Sequence, residues 1–308
     1  MGRKRRGEPV HGWIVIDKPL GMGSTGVVGK VRYLLNAQKA GHGGTLDPLA
    51  SGILPIALGE ATKTVAYAMD GCKTYEFTAR WGQSTATDDM EGEVVSRSGV
   101  RPAEADIRAI LSEFEGEIDQ IPPIYSAIKV DGKRAYDLAR ADIAVELKSR
   151  KVQIDKCELI SCDDVDHATF RVQCGKGTYI RSLARDIAVR LGTCAHVSRL
   201  RRTRVGPFTE KHAISLDSLK ALGHNKKYSE ALLAVEAVLD DIPALALSAD
   251  ETRRLKHGQT ISFDTVIDQP ALSDINQDTV LCAQFEGEMI ALVKCVEGEI
   301  KALRVLNR

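Results

Sequence analysis

The order of the predicted strands and helices constrains the fold of this chain more than any other feature. A doubly wound parallel sheet needs strands and helices in regular alternation, and this sequence lacks that pattern. Strands are predicted at residues 13–16, 74–81, 152–160, 168–174 and 197–205, and helices at residues 24–35, 102–114, 133–140 and 180–191. We therefore expect an α+β fold with a mixed, largely antiparallel central sheet flanked by helices and loops.

Small and polar residues mark the predicted boundaries of these elements. Ser24 or Thr25 is expected to N-cap the first helix, because a short hydroxyl side chain can satisfy a free backbone N–H there. Residues 40–52 are rich in glycine and proline and predict a loop, and the polar, acidic stretch 83–101 predicts another.

A change in composition indicates a second domain near the C-terminus. The sequence becomes acidic after Asn225, and the dipeptide Ile242-Pro243 marks a boundary. Beyond it, residues 249–257 predict a helix and residues 279–285, 289–296 and 300–306 predict three short strands. We expect a basic flexible arm at residues 1–9, a main domain at 10–243 with a basic insertion at 126–145, and a small β-rich domain at 244–308.

Opposed charged regions add up to a formal net charge of zero, from 42 basic and 42 acidic residues. Residues 176–211 carry nine Lys/Arg against two acidic residues, whereas residues 84–119 carry ten acidic residues against three Arg. Residues 228–308 carry fourteen acidic residues against seven Lys/Arg. The basic stretch indicates a local phosphate-binding surface, to which the predicted strand with the run Arg199 to Arg204 should present several arginines. The acidic regions are expected on the far side of the molecule or in the tail.

Several classes of protein are disfavoured by composition alone. The seven cysteines include no CxxC pair, so a zinc site is not indicated and reduced thiols are expected. The basic N-terminus has no apolar segment after it, and no run approaches 18 apolar residues, so neither a signal peptide nor a membrane span is predicted. We expect a cytoplasmic protein without a membrane partner.

The segment Gly21-x-Gly23-x-x-Gly26 matches the dinucleotide-binding fingerprint by its letters, with Asp47 about twenty residues further on. In that fold the acidic residue ends a second apolar strand. Residues 38–46 contain no apolar run of strand length, so the context of the fingerprint is missing. A nucleotide-dependent oxidoreductase is therefore disfavoured.

The loop from Gly41 to Gly52 contains the strongest candidate for chemistry. Asp47 precedes a proline that restricts its backbone, although a lone Asp-Pro is more often a simple turn. A second glycine-rich turn, Gly175 to Arg181, supplies an arginine that could pair with a buried carboxylate and keep it ionised. This candidate set has one carboxylate, one arginine and tyrosines, and no second acidic residue for hydrolysis is obvious. It suits chemistry on a flat nucleobase.

Seven segments together resemble the bacterial tRNA pseudouridine synthases of the TruB family. The resemblance is strong over residues 10–215 and weak beyond them, and three glycines depart from the family pattern: Gly23, Gly26 and Gly43. The segments that carry it are residues 17–21, 41–52, 59–63, 73–75, 120–129, 177–181 and 195–202.

This resemblance implies the pseudouridine synthase fold with a PUA-like RNA-binding domain at residues 244–308. The implied activity is the isomerisation of uridine 55 in the T-stem-loop of tRNA to pseudouridine, with no cofactor and no metal. It also implies a tRNA partner bound directly by the insertion at 126–145, without guide RNA, and a monomeric enzyme.

The family's functional residues carry over to matching positions of this sequence. Asp47 would be the nucleophile and Arg181 would form an ion pair that aligns it. Tyr75 would stack on the flipped uracil, and Tyr179 would line the pocket and could transfer a proton. Leu200 would pack against the base or ribose.

Three further residues are implied more weakly. His42 would fill the space that the flipped base leaves. Lys18 and Lys63 would either contact phosphates or form structural salt bridges. A non-catalytic RNA-binding protein remains the alternative from another class; it needs no nucleophilic carboxylate, so a substitution of Asp47 distinguishes the two.

Overall fold

The computed structural model describes residues 7–126, 128–130, 132–141, 143, 147–224, 227–266 and 279–307, without the side chains at 129, 134, 137, 140 and 224. Most of the predicted basic arm therefore lies outside the described residues. Three of the four basic side chains of the predicted insertion, at positions 129, 134 and 140, lie outside them too.

The described chain contains nineteen strands and seven α-helices. The first strands are β1 Gly12–Lys18, β2 Ala40–His42, β3 Ala50–Leu58, β4 Lys73–Trp81, β5 Gln83–Thr85, β6 Val94–Arg97, β7 Gly116–Gln120, β8 Lys129–Val130, β9 Lys133–Arg134 and β10 Arg150–Cys162. They are followed by β11 His167–Cys174, β12 Ala195–Val205, β13 Phe208–Thr209, β14 Ala213–Ile214, β15 Ala244–Ala246, β16 Ile261–Ser262, β17 Val280–Phe285, β18 Glu288–Val296 and β19 Glu299–Val305. The helices are α1 Ser24–Leu34, α2 Val65–Asp70, α3 Glu104–Ile110, α4 Ala135–Arg140, α5 Ile180–Arg190, α6 Leu216–His224 and α7 Ala249–Lys256.

A ten-stranded sheet forms the centre of the molecule in the order β14-β1-β3-β12-β4-β11-β10-β7, with β2 on β3 and β13 on β12. Only the pairs β1–β14 and β3–β12 are parallel. The predicted α+β class with a mixed, largely antiparallel central sheet is therefore confirmed. Helices α1 and α5 bury apolar faces in the main core, which includes Val27 and Val31 of α1 and Leu183 and Ile187 of α5.

Strand β3 runs through part of a stretch that was predicted as a loop. It is buried at every position except Ser51, so it has no polar face and none of the alternation that marks a half-buried strand. Gly52 was included in the predicted loop because residues 40–52 are rich in glycine and proline. Gly52 has φ +100°, and a Cβ at this position would lie 2.1 Å from the carbonyl oxygen of Arg202 on β12, so only glycine allows the two strands to approach.

Two further local predictions were wrong. Gly23 is the N-cap of α1 and no side chain caps the helix. The hydroxyl of Ser24 instead donates to the carbonyl of Leu46 at 2.9 Å and accepts from its N–H at 2.8 Å, so it ties α1 to the neighbouring loop. Residues 83–101, predicted as a loop, contain the hairpin of β5 and β6.

A second sheet follows the central one, in the order β15-β17-β18-β19-β16. An apolar cluster joins the two sheets: Trp13, Val15 and Ile53 of the central sheet share it with Met289 and Leu292 of β18. No helix in the described ranges is long and apolar enough to cross a membrane.

Candidate active site

Asp47 lies on the turn between β2 and β3. Its carbonyl accepts a hydrogen bond from the N–H of Ala50 at 3.0 Å, which helps close the turn as β3 begins. The preceding residue, Leu46, is buried and held by Ser24. The carboxylate of Asp47 remains 41% exposed, so its backbone is fixed while its oxygens face open space.

Arg181 lies in the first turn of α5 and is buried, with four partners for its guanidinium group. Nη2 lies 2.9 Å from Oδ2 of Asp47, and Nη1 lies 3.4 Å from Oδ2 of Asp89. The same two nitrogens donate to the carbonyls of Thr87 and Tyr125, each at 2.9 Å. Because all four partners must be reached at once, the guanidinium group is held in a single orientation beside Asp47.

Two acidic residues of the site were missed in the sequence. Asp89 is buried beside Arg181, and its Oδ1 accepts from the N–H of Glu91 at 3.0 Å. Asp88 accepts from Nη1 of Arg185 at 2.8 Å, and burial raises the pKa of its carboxyl. The acidic stretch 84–119 was expected on the far side; this expectation is wrong for its first residues, because they neutralise the arginines of α5. No local pattern links this Asp-Asp pair to the arginines of α5, which lie about 90 positions further along the chain.

Tyr75 and Tyr179 line one side of the Asp47–Arg181 pair. They border a cavity of about 280 Å³ together with Lys73, Leu200 and Arg202. Burial raises the pKa of both phenols, so both are neutral donors at ordinary pH. Leu200, on β12, is 9% exposed at the floor of this cavity. The five predicted residues Asp47, Tyr75, Tyr179, Arg181 and Leu200 are thus brought together.

Tyr179 is held by its backbone. It is the N-cap residue of α5, and its N–H donates to Oε1 of Gln120 at 2.7 Å. The hydroxyl of Ser126 is buried beside the phenol of Tyr179; burial raises the pKa of that phenol, and a hydrogen bond with Ser126 opposes the rise. Ser126 lines both cavities of the site, so its hydroxyl is within reach of a ligand.

A second cavity, of about 600 Å³, opens on the other side of the pair. His42, Thr25, Glu91, Tyr125 and Tyr136 contribute to its wall, and Asp47, Arg181 and Ser126 border both cavities. Burial, and then the charge of Arg202, lower the pKa of His42, whose Nδ1 has no hydrogen-bond partner in the described residues. A neutral imidazole therefore faces the second cavity.

Lys18 and Lys63 are both engaged by the protein and line neither cavity. Lys18 is fully buried and donates to the carbonyls of Pro19, Met22 and Pro48 at 2.9, 2.6 and 3.3 Å. Lys63 pairs with Glu60 at 2.5 Å and donates to the carbonyl of Val305 at 2.6 Å. Of the two alternatives for each lysine, these contacts favour the structural one.

The run from Arg199 to Arg204 does not form the expected exposed row of arginines. Arg202 shares the buried face of Leu200 by ordinary alternation, and a register shift between Arg202 and Arg204 places Arg204 on the exposed side. Arg202 is 1% exposed, and Arg201 is paired with Asp17 at 2.9 Å and Glu210 at 2.7 Å. Only Arg199 and Arg204 are exposed, so the phosphate-binding surface cannot be read from this strand alone.

Comparison with known proteins defines the class first. The chain matched in "Crystal Structure of a Cbf5-Nop10-Gar1 Complex" aligns with a TM-score of 0.72 and 28% identity, covering 96% of this chain and 84% of that one. Residues 32–180 match "TruB family pseudouridylate synthase (N terminal domain)" and residues 181–241 match "tRNA pseudouridylate synthase B C-terminal domain". The fold is that of a pseudouridine synthase.

Full-length relatives then specify the family. The tRNA pseudouridine synthase B of Rhodospirillum rubrum is 54% identical over 307 residues and covers 100% of both chains. That of a Caulobacter species (strain K31) is 55% identical over 308 residues, covering 100% of this chain and 99% of the relative. The chain belongs to the TruB family of pseudouridine synthases, as the sequence motifs indicated.

Proposed function

We propose that this chain isomerises uridine 55 in the T-stem-loop of tRNA to pseudouridine, with Asp47 as the nucleophile. The observation that carries the proposal is the ion pair between Asp47 and Arg181 at the junction of two cavities. One cavity has two tyrosines and a leucine in its wall, which suits a flat base. The tRNA substrate is inferred from two relatives, 54% and 55% identical to this chain, that are named tRNA pseudouridine synthase B.

The reaction conserves all atoms and electrons, so it needs no redox partner. The bond between N1 and the ribose C1′ breaks, a bond between C5 and C1′ forms, C5 loses a proton and N1 gains one. The carboxylate of Asp47 can attack C1′, attack C6 of the base, or remove the proton, and each route uses the same group. Arg181 orients that carboxylate through the ion pair at 2.9 Å.

The neighbouring side chains bind the flipped base and transfer protons. Tyr75 stacks on the flipped uracil, an interaction that contributes about 1–3 kcal/mol for a base on an aromatic ring. Tyr179 can pass a proton, since its phenol is neutral and adjacent to the pair. Leu200 packs on the base or ribose, and His42, in the second cavity, takes the place that the base leaves in the RNA stack.

We further propose that the chain acts as a monomer in the cytoplasm, without guide RNA. The main domain, residues 10–243, performs the chemistry and its insertion at 126–145 grips the RNA. The domain at residues 244–308 adds a local RNA contact. Its acidic composition limits the attraction to phosphates, so recognition depends mainly on the shape of the site.

A covalent trap tests the chemistry. A T-arm RNA with 5-fluorouridine at the target position should form a stable adduct with the unaltered chain, and Asp47→Asn should form none while still binding the RNA. A non-catalytic RNA-binding protein would bind equally well with either residue and form no adduct. Pseudouridine formation by Asp47→Asn on ordinary T-arm RNA would refute the role of Asp47.

A further inference from the structure

Arg202 is a buried cation with no assigned role. It is 1% exposed, and within the described ranges no carboxylate lies within ion-pair distance of it. Its guanidinium donates to the backbone carbonyls of Ile53, Thr45 and Gly44, at 2.9, 3.2 and 3.0 Å, and also forms a hydrogen bond with the hydroxyl of Tyr75. Burying a charge without a counterion is costly, so these hydrogen bonds are what keep the guanidinium in place.

The three carbonyls belong to the two ends of one loop. Gly44 and Thr45 precede Asp47, and Ile53 follows it on β3. The guanidinium therefore bridges the chain on both sides of the carboxylate. The backbone of Arg202 also fits closely against Gly52, with Arg202 and Gly52 in register on parallel strands. Strand β12 thus supports the loop through both backbone and side chain.

Arg202 also contacts the opposite wall of the base cavity. Its Cζ lies 5.9 Å from the centroid of the Tyr75 ring, within the range of a cation–π contact. One side chain thus touches the loop that bears Asp47 and the ring on which a base would stack. Because side chains of a reacting pair must be placed within fractions of an ångström, such a support controls rate.

We propose that Arg202 is a positioning residue of the isomerisation, which fixes Asp47 relative to the ring of Tyr75 by bridging Gly44, Thr45 and Ile53. The inference rests on the proposed function. In this proposal Arg202 acts on the reaction by holding the loop that bears Asp47, and it does not contact phosphate. This role is consistent with the burial of Arg202 within the Arg199–Arg204 run. A lysine cannot replace it, since one ammonium group lacks the planar fork that reaches three carbonyls.

The test compares Arg202→Lys and Arg202→Met with Arg201→Met in single-turnover and steady-state assays on T-arm RNA, below the unfolding temperature of every variant. Arg201 is the matched control, because the adjacent side chain loses ion pairs to Asp17 and Glu210 but touches neither the loop nor the cavities. Arg202→Lys should lose about 100-fold in kcat with KM changed less than about threefold. Arg201→Met should lower the unfolding temperature and leave kcat within about twofold.

Each result decides between defined conclusions. Full kcat in folded Arg202→Lys would overturn the inference, and so would a loss of kcat that follows the unfolding temperature across all variants, including Arg201→Met. If Arg202→Met does not fold, Arg202→Lys alone decides. If the unaltered chain shows no turnover, the proposed function itself is refuted. If the unaltered chain is active and the Arg202 variants keep its kcat, only the role of Arg202 is refuted.

Discussion

The guanidinium group of Arg181 joins the carboxylate of Asp47, at 2.9 Å, to the backbone carbonyl of Tyr125, at the same distance. Tyr125 lies just before the predicted RNA-gripping insertion at 126–145. The arginine therefore links the orientation of the proposed nucleophile to the segment that should close on RNA. We therefore expect a displacement of the Tyr125 carbonyl to change the orientation of Asp47 through Arg181.

Arg181→Lys should lower kcat by about 100-fold or more, because an ammonium group cannot reach two carboxylates and two carbonyls at once. Arg185→Lys is the matched control on the next turn of α5; Arg185 pairs with Asp88 and Asp186 but lines neither cavity. Its kcat should stay within about threefold. The check is the rate of pseudouridine formation on T-arm RNA, and equal losses in both variants would contradict the specific role of Arg181.

Ser126→Ala should lower kcat/KM. The hydroxyl is buried beside the phenol of Tyr179 and borders both cavities, so its removal takes a hydrogen-bonding group from Tyr179 and from a bound ligand. We expect kcat/KM to fall by about tenfold. Thr252→Ala removes a buried hydroxyl on α7, far from both cavities in the sequence and lining neither, and should leave kcat/KM unchanged. A thermal unfolding curve and a steady-state assay on each variant suffice, and unchanged kcat/KM in Ser126→Ala would contradict the prediction.

Lys18 should give the protein a distinct pH dependence of stability. Burial lowers the pKa of Lys18 from 10.5 to about 8, against the opposing charge of Asp47. Between about pH 8 and about pH 10.5 the unfolded chain then holds one more proton at this site than the folded chain, so this group makes the free energy of unfolding rise with pH. Below that window both states are protonated and its contribution is constant.

Urea unfolding of the unaltered chain and of Lys18→Met checks this expectation. All other titrating groups are common to the two proteins, so the difference between their free energies of unfolding isolates Lys18. That difference should grow in favour of the unaltered chain as the pH rises through the window. Parallel pH profiles would show that Lys18 keeps an ordinary affinity for its proton in the folded state.

Lys63→Met should reduce stability and spare catalysis, because Lys63 connects Glu60 to the carbonyl of Val305 on β19. We expect a loss of about 1–3 kcal/mol from the unpaired Glu60 and Val305 groups. Lys301→Met, whose lysine is 41% exposed and 3.6 Å from Glu299, should lose less than about 1 kcal/mol. A phosphate contact by Lys63 would instead raise KM for RNA and weaken its salt dependence.

The fold class and the main residues of the site could be predicted from the sequence. Half-buried strands such as β4 alternate polar and apolar residues, so such strands can be recognised from the sequence. Strand β3 lacks that pattern, because both of its faces are buried, and its Gly52 is explained only by a neighbour 150 residues away along the chain.

The residues that complete the site depend on contacts between distant segments. Asp89 reaches Arg181 across 92 positions of sequence, and only the folded chain brings the hairpin of β5 and β6 close to α5. The run Arg199 to Arg204 was expected to expose several arginines, but the register of β12 is unbroken from Arg199 to Arg202. Arg202 therefore shares the buried face of Leu200 by ordinary alternation, and what the sequence does not indicate is which face of this arginine-rich strand is buried.

The apolar cluster that joins the two sheets makes the C-terminal region a poor candidate for exchange with another RNA-binding module. Trp13 and Val15 lie on β1, and Ile53 lies on the strand that Arg202 clamps. A chain cut before Ala244 would leave these side chains open to water on the back of the catalytic sheet, a surface prone to aggregation. Any replacement of the C-terminal region must therefore preserve the apolar side chains of β18 that cover β1 and β3.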